Sequence, residues 1–141
     1  VASGELGQDP VRPLLRRPNP AVVATLRPDG SPHTVATWYL WDGERVLLNM
    51  DESRLRLGFM RKDPRVALTA LGQDEWYRHA SLLGEVAEIR EDEGLGDIDR
   101  LARHYTGQPF RNRERRRFSA LVEPGAWHAW SGSGAWLDGS G

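Results

Sequence analysis

The chain has 141 residues, a formal net charge of −1 and no cysteine. This length predicts one globular domain with a modest core, or one half of a dimer. Without cysteine, disulfides, thiolate metal ligands and cysteine nucleophiles are excluded, and the near-zero net charge argues against broad nucleic-acid binding. No apolar run approaches the roughly 18 residues that span a membrane, and no segment resembles a signal peptide. These features favour a cytoplasmic protein that is not bound to a membrane.

A single domain is predicted over residues 11–130. Residues 1–10 are polar, and residues 131–141 are rich in glycine and serine, so both ends are predicted to be flexible. Val11 to Arg17 is predicted to form a short helix that ends at Pro18-Asn19-Pro20, because proline interrupts a helix.

Two Asp-Gly turns predict a three-stranded meander. Ala21 to Leu26 has the β-branched composition of a strand. Asp29-Gly30 and Asp42-Gly43 are strong hairpin signals. His33 to Trp41 is therefore predicted to pair with Ala21 to Leu26 on one side and with Arg45 to Met50 on the other.

Further strands are predicted in the second half of the chain, together with one amphipathic helix. The strands are Val66 to Leu71, Trp76 to Arg90 with a bulge at Gly84, Phe118 to Val122 and Trp127 to Trp130; the helix is Asp97 to Tyr105, after a flexible acidic segment from Glu91 to Gly96. Six or seven strands with two or three short helices predict a mainly β (α+β) domain closed into a barrel.

The junction after Met50 carries the clearest chemical signal. Ser53 is predicted to be the N-cap of a helix that ends before Pro64. Arg54 and Arg56 place two cations at the start of that helix, where the helix dipole and free backbone N–H groups favour an anion. This combination predicts a phosphate seat, although a solvated helix face with ordinary arginines has the same pattern.

Other chemically active residue types give weaker signals. The four histidines lie in separate elements without metal-ligand spacing, so no metal site is predicted. Ser31 and Ser81 lack the context of a nucleophile. The arginine-rich stretch at residues 111–117 is either a solvated loop or a surface for an acidic partner.

Four segments in the order expected resemble the flavin/deazaflavin oxidoreductase superfamily, the split-β-barrel group that includes pyridoxamine-phosphate oxidases. They are PNPAVVATLRPDGSPHTVATWY, MRKDPRVALT, WYRHASLLGEVAEI and IDRLARHYTGQPF. The nearest subgroup is the small enzymes that use the deazaflavin coenzyme F420. The resemblance covers most of the chain and implies a split β-barrel homodimer with two cofactor sites at the subunit interface.

The resemblance also assigns cofactor-binding residues. Arg54 and Arg56 match an Arg-x-Lys pair that holds the cofactor phosphate, and the change from Lys to Arg keeps the charge but alters the donor geometry. Phe59 stands where the family has an asparagine. Asn49, at the end of the strand before the helix, matches a position that faces the phosphate. The strand along the ring system is matched by His33, Ala36 and Thr37, and a segment contributed by the other subunit is matched by Tyr77, Arg78 and His79.

The activity implied is hydride transfer between reduced F420 and a small conjugated organic substrate. No catalytic residue is assigned, because the cofactor carries the hydride; Tyr77 and His79 are either proton donors or packing residues. The arginine-rich stretch favours F420, whose acidic tail it could follow, over FMN. The alternatives are an FMN-dependent oxidase or reductase, and a non-catalytic flavin- or haem-binding protein with His79 or His104 as the haem ligand.

Overall fold

Nine strands and three α-helices form over the residues that the structure, a computed structural model, describes: 2–3, 11–130 and 136–140. In chain order they are β1 (Ala2–Ser3), α1 (Val11–Leu15), β2 (Ala21–Leu26), β3 (Pro32–Thr37), β4 (Leu40–Trp41), β5 (Val46–Asp51), α2 (Leu55–Lys62), β6 (Arg65–Leu71), β7 (His79–Glu91), a 3-10 turn (Glu93–Leu95), α3 (Gly96–Thr106), β8 (Arg117–Trp130) and β9 (Trp136–Ser140). None of the helices in these ranges is long and apolar enough to cross a membrane.

The strands form one sheet, antiparallel except where β1 pairs with β9. Its order is β1-β9-β8-β7-β6-β2-β3. Strand β8 pairs with β7 along one edge and divides its other edge between β5, at residues 117–122, and β9, at residues 126–130. Because β4 pairs with β5 and follows β3 directly in the chain, the sheet curls into a barrel that is open between β3 and β4. The predicted split β-barrel is confirmed.

Both predicted Asp-Gly hairpins form, the second between β4 and β5 around Asp42-Gly43, but the predicted middle strand, His33 to Trp41, is interrupted at residues 38–39. β2 and β3 pair from Ala21–Thr37 to Leu26–Pro32, around the Asp29-Gly30 turn. However, β3 ends at Thr37 and does not pair with β5. Tyr39 is fully buried, and its hydroxyl donates to the Leu15 carbonyl at 2.9 Å, which draws the backbone out of the strand. The backbone therefore changes direction at residues 38–39, and the next strand, β4, pairs with β5 at the other end of the sheet.

Strand β5 is buried on both faces. All six of its residues are buried, because its inner face meets the main core and its outer face meets α3. Leu48 and Met50 belong to the main core cluster, which also contains the buried residues of α1 and α2. Leu47, with Leu121 of β8, instead packs against α3 in a second cluster.

Other boundaries differ from the predictions in ways that concern the site. The Ser53 N-cap prediction is wrong: α2 has Arg54 at its N-cap, without a side-chain cap, because the Ser53 hydroxyl is bonded to Asp51. The acidic segment predicted to be flexible contains the last residue of β7, a 3-10 turn and a buried Asp92. β7 begins at His79 rather than Trp76, and the predicted bulge at Gly84 is present as a register shift after Leu82.

The predicted helices and end segments can be compared in the same way. α1 buries Val11, Leu14 and Leu15, as its pattern indicates. α3 ends at Thr106, and its C-cap Gly107 has the left-handed conformation (φ 78°) that glycine tolerates. Residues 136–140 form a strand instead of the loose end expected. The flexibility predicted for the ends cannot be compared at residues 1, 4–10, 131–135 and 141, which lie outside the described residues.

Candidate functional site

A cleft of about 660 Å³ opens beside β3 and α3, within the size range of small-molecule sites. Its lining comes from distant parts of the chain, which the barrel corner and α3 bring together. Three kinds of residue matter here: a polar end (Asn49, Arg56 and Arg117), an aromatic wall (Trp38, Tyr105 and Phe110), and the β3 residues Ala36 and Thr37.

The aromatic wall is fixed at both sides. Trp38 stacks on Tyr105 with ring centroids 5.1 Å apart, and it meets Phe110 edge-on at 6.2 Å. The Tyr105 hydroxyl donates to the Asn19 carbonyl at 2.6 Å and accepts from the Tyr39 N–H at 3.2 Å. Burial raises the pKa of Tyr105 to about 12, so the hydroxyl remains a neutral donor. The wall therefore offers a flat apolar surface of fixed orientation.

The polar end of the cleft carries two half-buried guanidinium groups. Nε of Arg117 donates to Oδ1 of Asn49 at 2.8 Å, and its guanidinium lies 4.6 Å from the Phe110 ring centroid. The Arg56 side chain has no hydrogen bond or ion pair with a described residue. Burial, and then the nearby charge of Arg54, lower the pKa of Arg56; together with a smaller contribution from Arg117, they outweigh the opposing effect of Asp51.

The same factors act on Arg117. Burial is the largest cause that lowers its pKa, and Arg54 adds to it, against the opposing charges of Asp51 and Asp92. Both side chains stay cationic at neutral pH, because an arginine pKa is far above that range. A buried cation without a full counter-charge is costly, so this end of the cleft favours an anionic ligand.

Asp51 lies two residues after Asn49 on β5, and its Oδ1 already accepts two hydrogen bonds. It accepts the Ser53 N–H at 2.8 Å and the Ser53 hydroxyl. It also pairs with Arg54 at 3.3 Å and lies 4.0 Å from Arg115. Burial raises the pKa of Asp51, but the Ser53 hydrogen bonds and the two arginines outweigh this effect and lower it. Asp51 is therefore ionised and holds Arg54 away from the cleft.

Asn49 connects the cationic end to the start of α3. Its Nδ2 donates to Ser119 Oγ at 3.0 Å and to Asp92 Oδ2 at 3.1 Å. Asp92 in turn accepts the backbone N–H groups of Asp97 and Ile98, each at 2.9 Å. These bonds satisfy donors in the first turn of α3. Arg117, Asn49 and α3 thus form one continuous polar network.

The predicted site residues fall into three groups. Ala36, Thr37, Asn49 and Arg56 line the cleft. The second group lies outside the cleft lining. In it, Ser53 and Arg54 both contact Asp51, and the rings of His33 and Phe59 meet edge-to-face with centroids 5.5 Å apart. The third group, Tyr77, Arg78 and His79, lies at the start of β7 outside the cleft lining, where Tyr77 contacts the rings of Trp76 and Trp130.

The sequence reasoning assigned no cofactor contact to the aromatic wall, Trp38, Tyr105 and Phe110, or to Arg117. Arg117 sits in the arginine-rich stretch, but only the β5–β8 pairing, which sets Asp51 opposite Arg117, reveals its place. The aromatic residues give no periodic signal, because they come from a corner, a helix end and a loop.

Most arginines of residues 111–117 have partners within the chain. Arg113 makes a two-point contact with Asp99, at 3.0 and 3.1 Å, and Arg116 contacts Glu91 at 2.6 Å. The Arg113 hydrogen bond lowers the pKa of Asp99, and the Arg116 hydrogen bond lowers the pKa of Glu91. The stretch is therefore largely neutralised by local acids.

Comparison with known proteins agrees with this fold. The family model described as pyridoxamine 5'-phosphate oxidase matches residues 8–131. The chain belongs to this family, within the flavin/deazaflavin oxidoreductase superfamily that its residues resemble. No curated protein matches the chain in sequence.

Solved structures share the same architecture. An F420 reductase is 28% identical, with a TM-score of 0.77 over 85% of this chain and 97% of the other. The conserved hypothetical protein Rv2991 from Mycobacterium tuberculosis is 21% identical (TM-score 0.65, 92% and 82% of the two chains). General Stress Protein 26 from Bacillus anthracis is 16% identical (TM-score 0.64, 83% and 88%). The last two likenesses concern the fold alone.

Proposed function

We propose that this protein is an F420-dependent oxidoreductase, which transfers a hydride between the reduced deazaflavin and a small conjugated organic substrate. The observation that carries the proposal is the cleft itself, where the half-buried Arg56, which has no partner among the described residues, lies on the same lining as the flat wall of Trp38 and Tyr105. A ligand with a phosphate and a planar ring system fits both features. The 28% identity to an F420 reductase supports the same cofactor.

The residues present fit such a cofactor. Arg56 would bind its phosphate through charge-assisted hydrogen bonds. β3 has one hydrogen-bonded neighbour, β2, among the described strands. The backbone groups on its other edge, near Ala36 and Thr37, are therefore available to polar atoms of a ring. When bound, the cofactor supplies the hydride; the protein contributes orientation and exclusion of water.

FMN is the alternative cofactor, because two guanidinium groups would hold its phosphate equally well. A single titration separates the possibilities. Purified protein is titrated with F420, FMN and haem, with fluorescence and absorbance as readouts, and then assayed with reduced F420 and small conjugated enones. Tighter binding of F420 and oxidation of reduced F420 by the enone are expected. Preference for FMN, a Soret band with haem alone, or no binding would each contradict the proposal.

We also infer that the protein is a homodimer whose second subunit completes the cofactor site. Large apolar side chains are exposed on the outside of the barrel: Val22 (38%), Leu83 (61%), Trp76 (68%) and Tyr77 (48%). Clustered exposed apolar residues are typical of interaction surfaces. In the dimer, the segment from Tyr77 to His79 would reach the partner's cleft.

Sedimentation tests the dimer. The expected result is a dimer for the unaltered chain and a shift toward monomer for Leu83→Glu, which places a charge on the proposed interface. Glu123→Gln, an exposed change on the neighbouring strand, serves as the control. A monomeric chain that still binds cofactor would show that the second subunit is unnecessary.

The acidic tail of F420 provides a further test. Arg111 and Arg115 remain on the surface, and Arg115 has only a 4.0 Å contact with Asp51. F420 with a long glutamate tail is therefore expected to bind more tightly than the tail-free form, and added salt should remove the difference. Equal affinities at low salt would assign residues 111–116 a purely structural role.

A further inference from the structure

We infer that Arg117 is the second phosphate-binding residue of the cleft, and that Asn49 is the positioning residue that orients it. The inference deepens the proposed function, on which it rests for the identity of the ligand. The sequence predicts that Arg54 and Arg56 bind the phosphate. In this inference the phosphate-binding pair is instead Arg56 and Arg117.

Arg54 is the weaker member of the predicted pair. Its side chain is 60% exposed and its Nε contacts Asp51 at 3.3 Å. It does not line the cleft. Its charge contributes to the local field, but an exposed cation already paired with a carboxylate adds little to binding.

Arg117 has the geometry of a ligand-binding residue. Arg117 donates only its Nε–H, to Asn49. The four N–H groups on the two terminal nitrogens of Arg117 have no hydrogen-bond acceptor among the described residues. Phe110 covers its guanidinium plane, which limits rotation. A half-buried guanidinium with free donors facing a cleft is suited to phosphoryl oxygens.

The register of β5 and β8 explains how Arg117 is held. Asn49 pairs with Ser119, and Asp51 pairs with Arg117. Side chains that alternate by two share one face, and Leu47 and Leu121 on the same face pack against α3. Asn49 therefore stands between an apolar contact and the cationic end. Its Oδ1 accepts the hydrogen bond from Arg117, while its Nδ2 donates to Ser119 and Asp92, which fixes the orientation of the amide.

The test measures binding of inorganic phosphate and of F420 by calorimetry to Arg117→Gln, Arg117→Lys and the control Arg100→Gln. Arg100→Gln removes the same charge from an exposed position of α3 outside the cleft lining. Arg117→Gln is expected to weaken phosphate and F420 binding at least tenfold, with less than a twofold change for the control. Arg117→Lys keeps the charge but not the Nε anchor, so an intermediate loss is expected. Equal losses for Arg117→Gln and Arg100→Gln would overturn the assignment.

The positioning role of Asn49 is tested by a double-mutant cycle. Asn49→Ala should weaken phosphate binding, yet it should add almost nothing once Arg117→Gln is present, because Asn49 acts through Arg117. If the losses of binding free energy in the two single variants add up in the double variant, Asn49 does not act through Arg117. If Asn49→Ala does not fold, Arg117→Lys still decides: affinity equal to that of the unaltered chain would overturn the oriented guanidinium.

The outcomes separate this inference from the proposed function. Phosphate binding that depends on Arg117, in a protein that binds neither F420 nor FMN, would leave the inference standing and refute the function. F420 binding that is unchanged in Arg117→Gln would refute the inference and leave the function.

Discussion

The ring of Trp38 lies parallel to the ring of Tyr105, with centroids 5.1 Å apart and planes inclined by 14°. The hydroxyl of Tyr105 then joins Asn19, in the segment before β2, to Tyr39, at the corner after β3. One helical side chain therefore fixes the corner that interrupts the predicted strand from His33 to Trp41. The same contact builds the wall of the cleft, so the shape of the barrel and the shape of the site depend on a common residue.

Tyr105→Phe should lower the free energy of unfolding by about 1–3 kcal/mol, from two lost hydrogen bonds at about 0.5–1.5 kcal/mol each. The stacked ring remains, so the cleft wall should stay in place. Urea denaturation measures the change. Tyr77→Phe is the matched control, since Tyr77 is 48% exposed, and it should change stability by less than about 0.5 kcal/mol. Equal effects of the two variants would show that the Tyr105 hydroxyl does not hold the corner.

Arg56→Ala should weaken cofactor binding strongly, because a charge-assisted contact to phosphate contributes about 1.5–3 kcal/mol. Arg54→Ala makes the same change of charge two residues earlier, at a side chain that is 60% exposed and paired with Asp51, and should cost far less. Dissociation constants from fluorescence titration give the comparison. An unchanged constant for Arg56→Ala would remove the phosphate seat from this helix.

What the sequence could predict is local. Ala21 to Leu26, the Asp29-Gly30 turn, the inward residues of α1 and α3, and the bulge at Gly84 all follow from neighbouring residues. Their patterns are determined within a few positions of the chain.

What it could not predict depends on distant pairing. Tyr39 leaves its strand because Leu15 accepts its hydroxyl from 24 positions away. Arg117 enters the cleft because β8 aligns with β5. Ser53 was a reasonable N-cap by residue type, but Asp51 takes its hydroxyl. In each case a contact between distant segments, or a competing acceptor, overrode the local preference.

Gly84→Ala should destabilise the protein by about 1–3 kcal/mol, the usual cost of overpacking. A Cβ there would stand 2.5 Å from the Glu123 carbonyl oxygen and 2.8 Å from Cγ1 of Val122. Gly58→Ala, in the middle of α2 with nothing within 4 Å of its Cβ, should instead stabilise by about 0.5–1 kcal/mol. Opposite shifts in melting temperature are expected. A neutral Gly84→Ala would mean that β7 and β8 separate there at little cost.

The Asp99–Arg113 pair should give stability that is lost in acid. The Arg113 hydrogen bond, and the Phe110 N–H that also donates to Asp99, hold the pKa of this carboxyl in the folded protein below its unfolded value of 3.8. The unfolded chain therefore binds the proton first as pH falls, and folding loses stability.

The contribution is complete above about pH 5 and disappears as the pH falls through the folded-state pKa, below 3.8. Asp99→Asn should thus be less stable than the unaltered chain at pH 7, and the gap in unfolding free energy should close toward pH 3. Arg113→Gln should follow the same profile, because it removes the same contact. Urea unfolding at several pH values measures both. A gap that keeps its size at pH 3 would show that Asp99 acts through its shape and its Phe110 bond rather than through its charge.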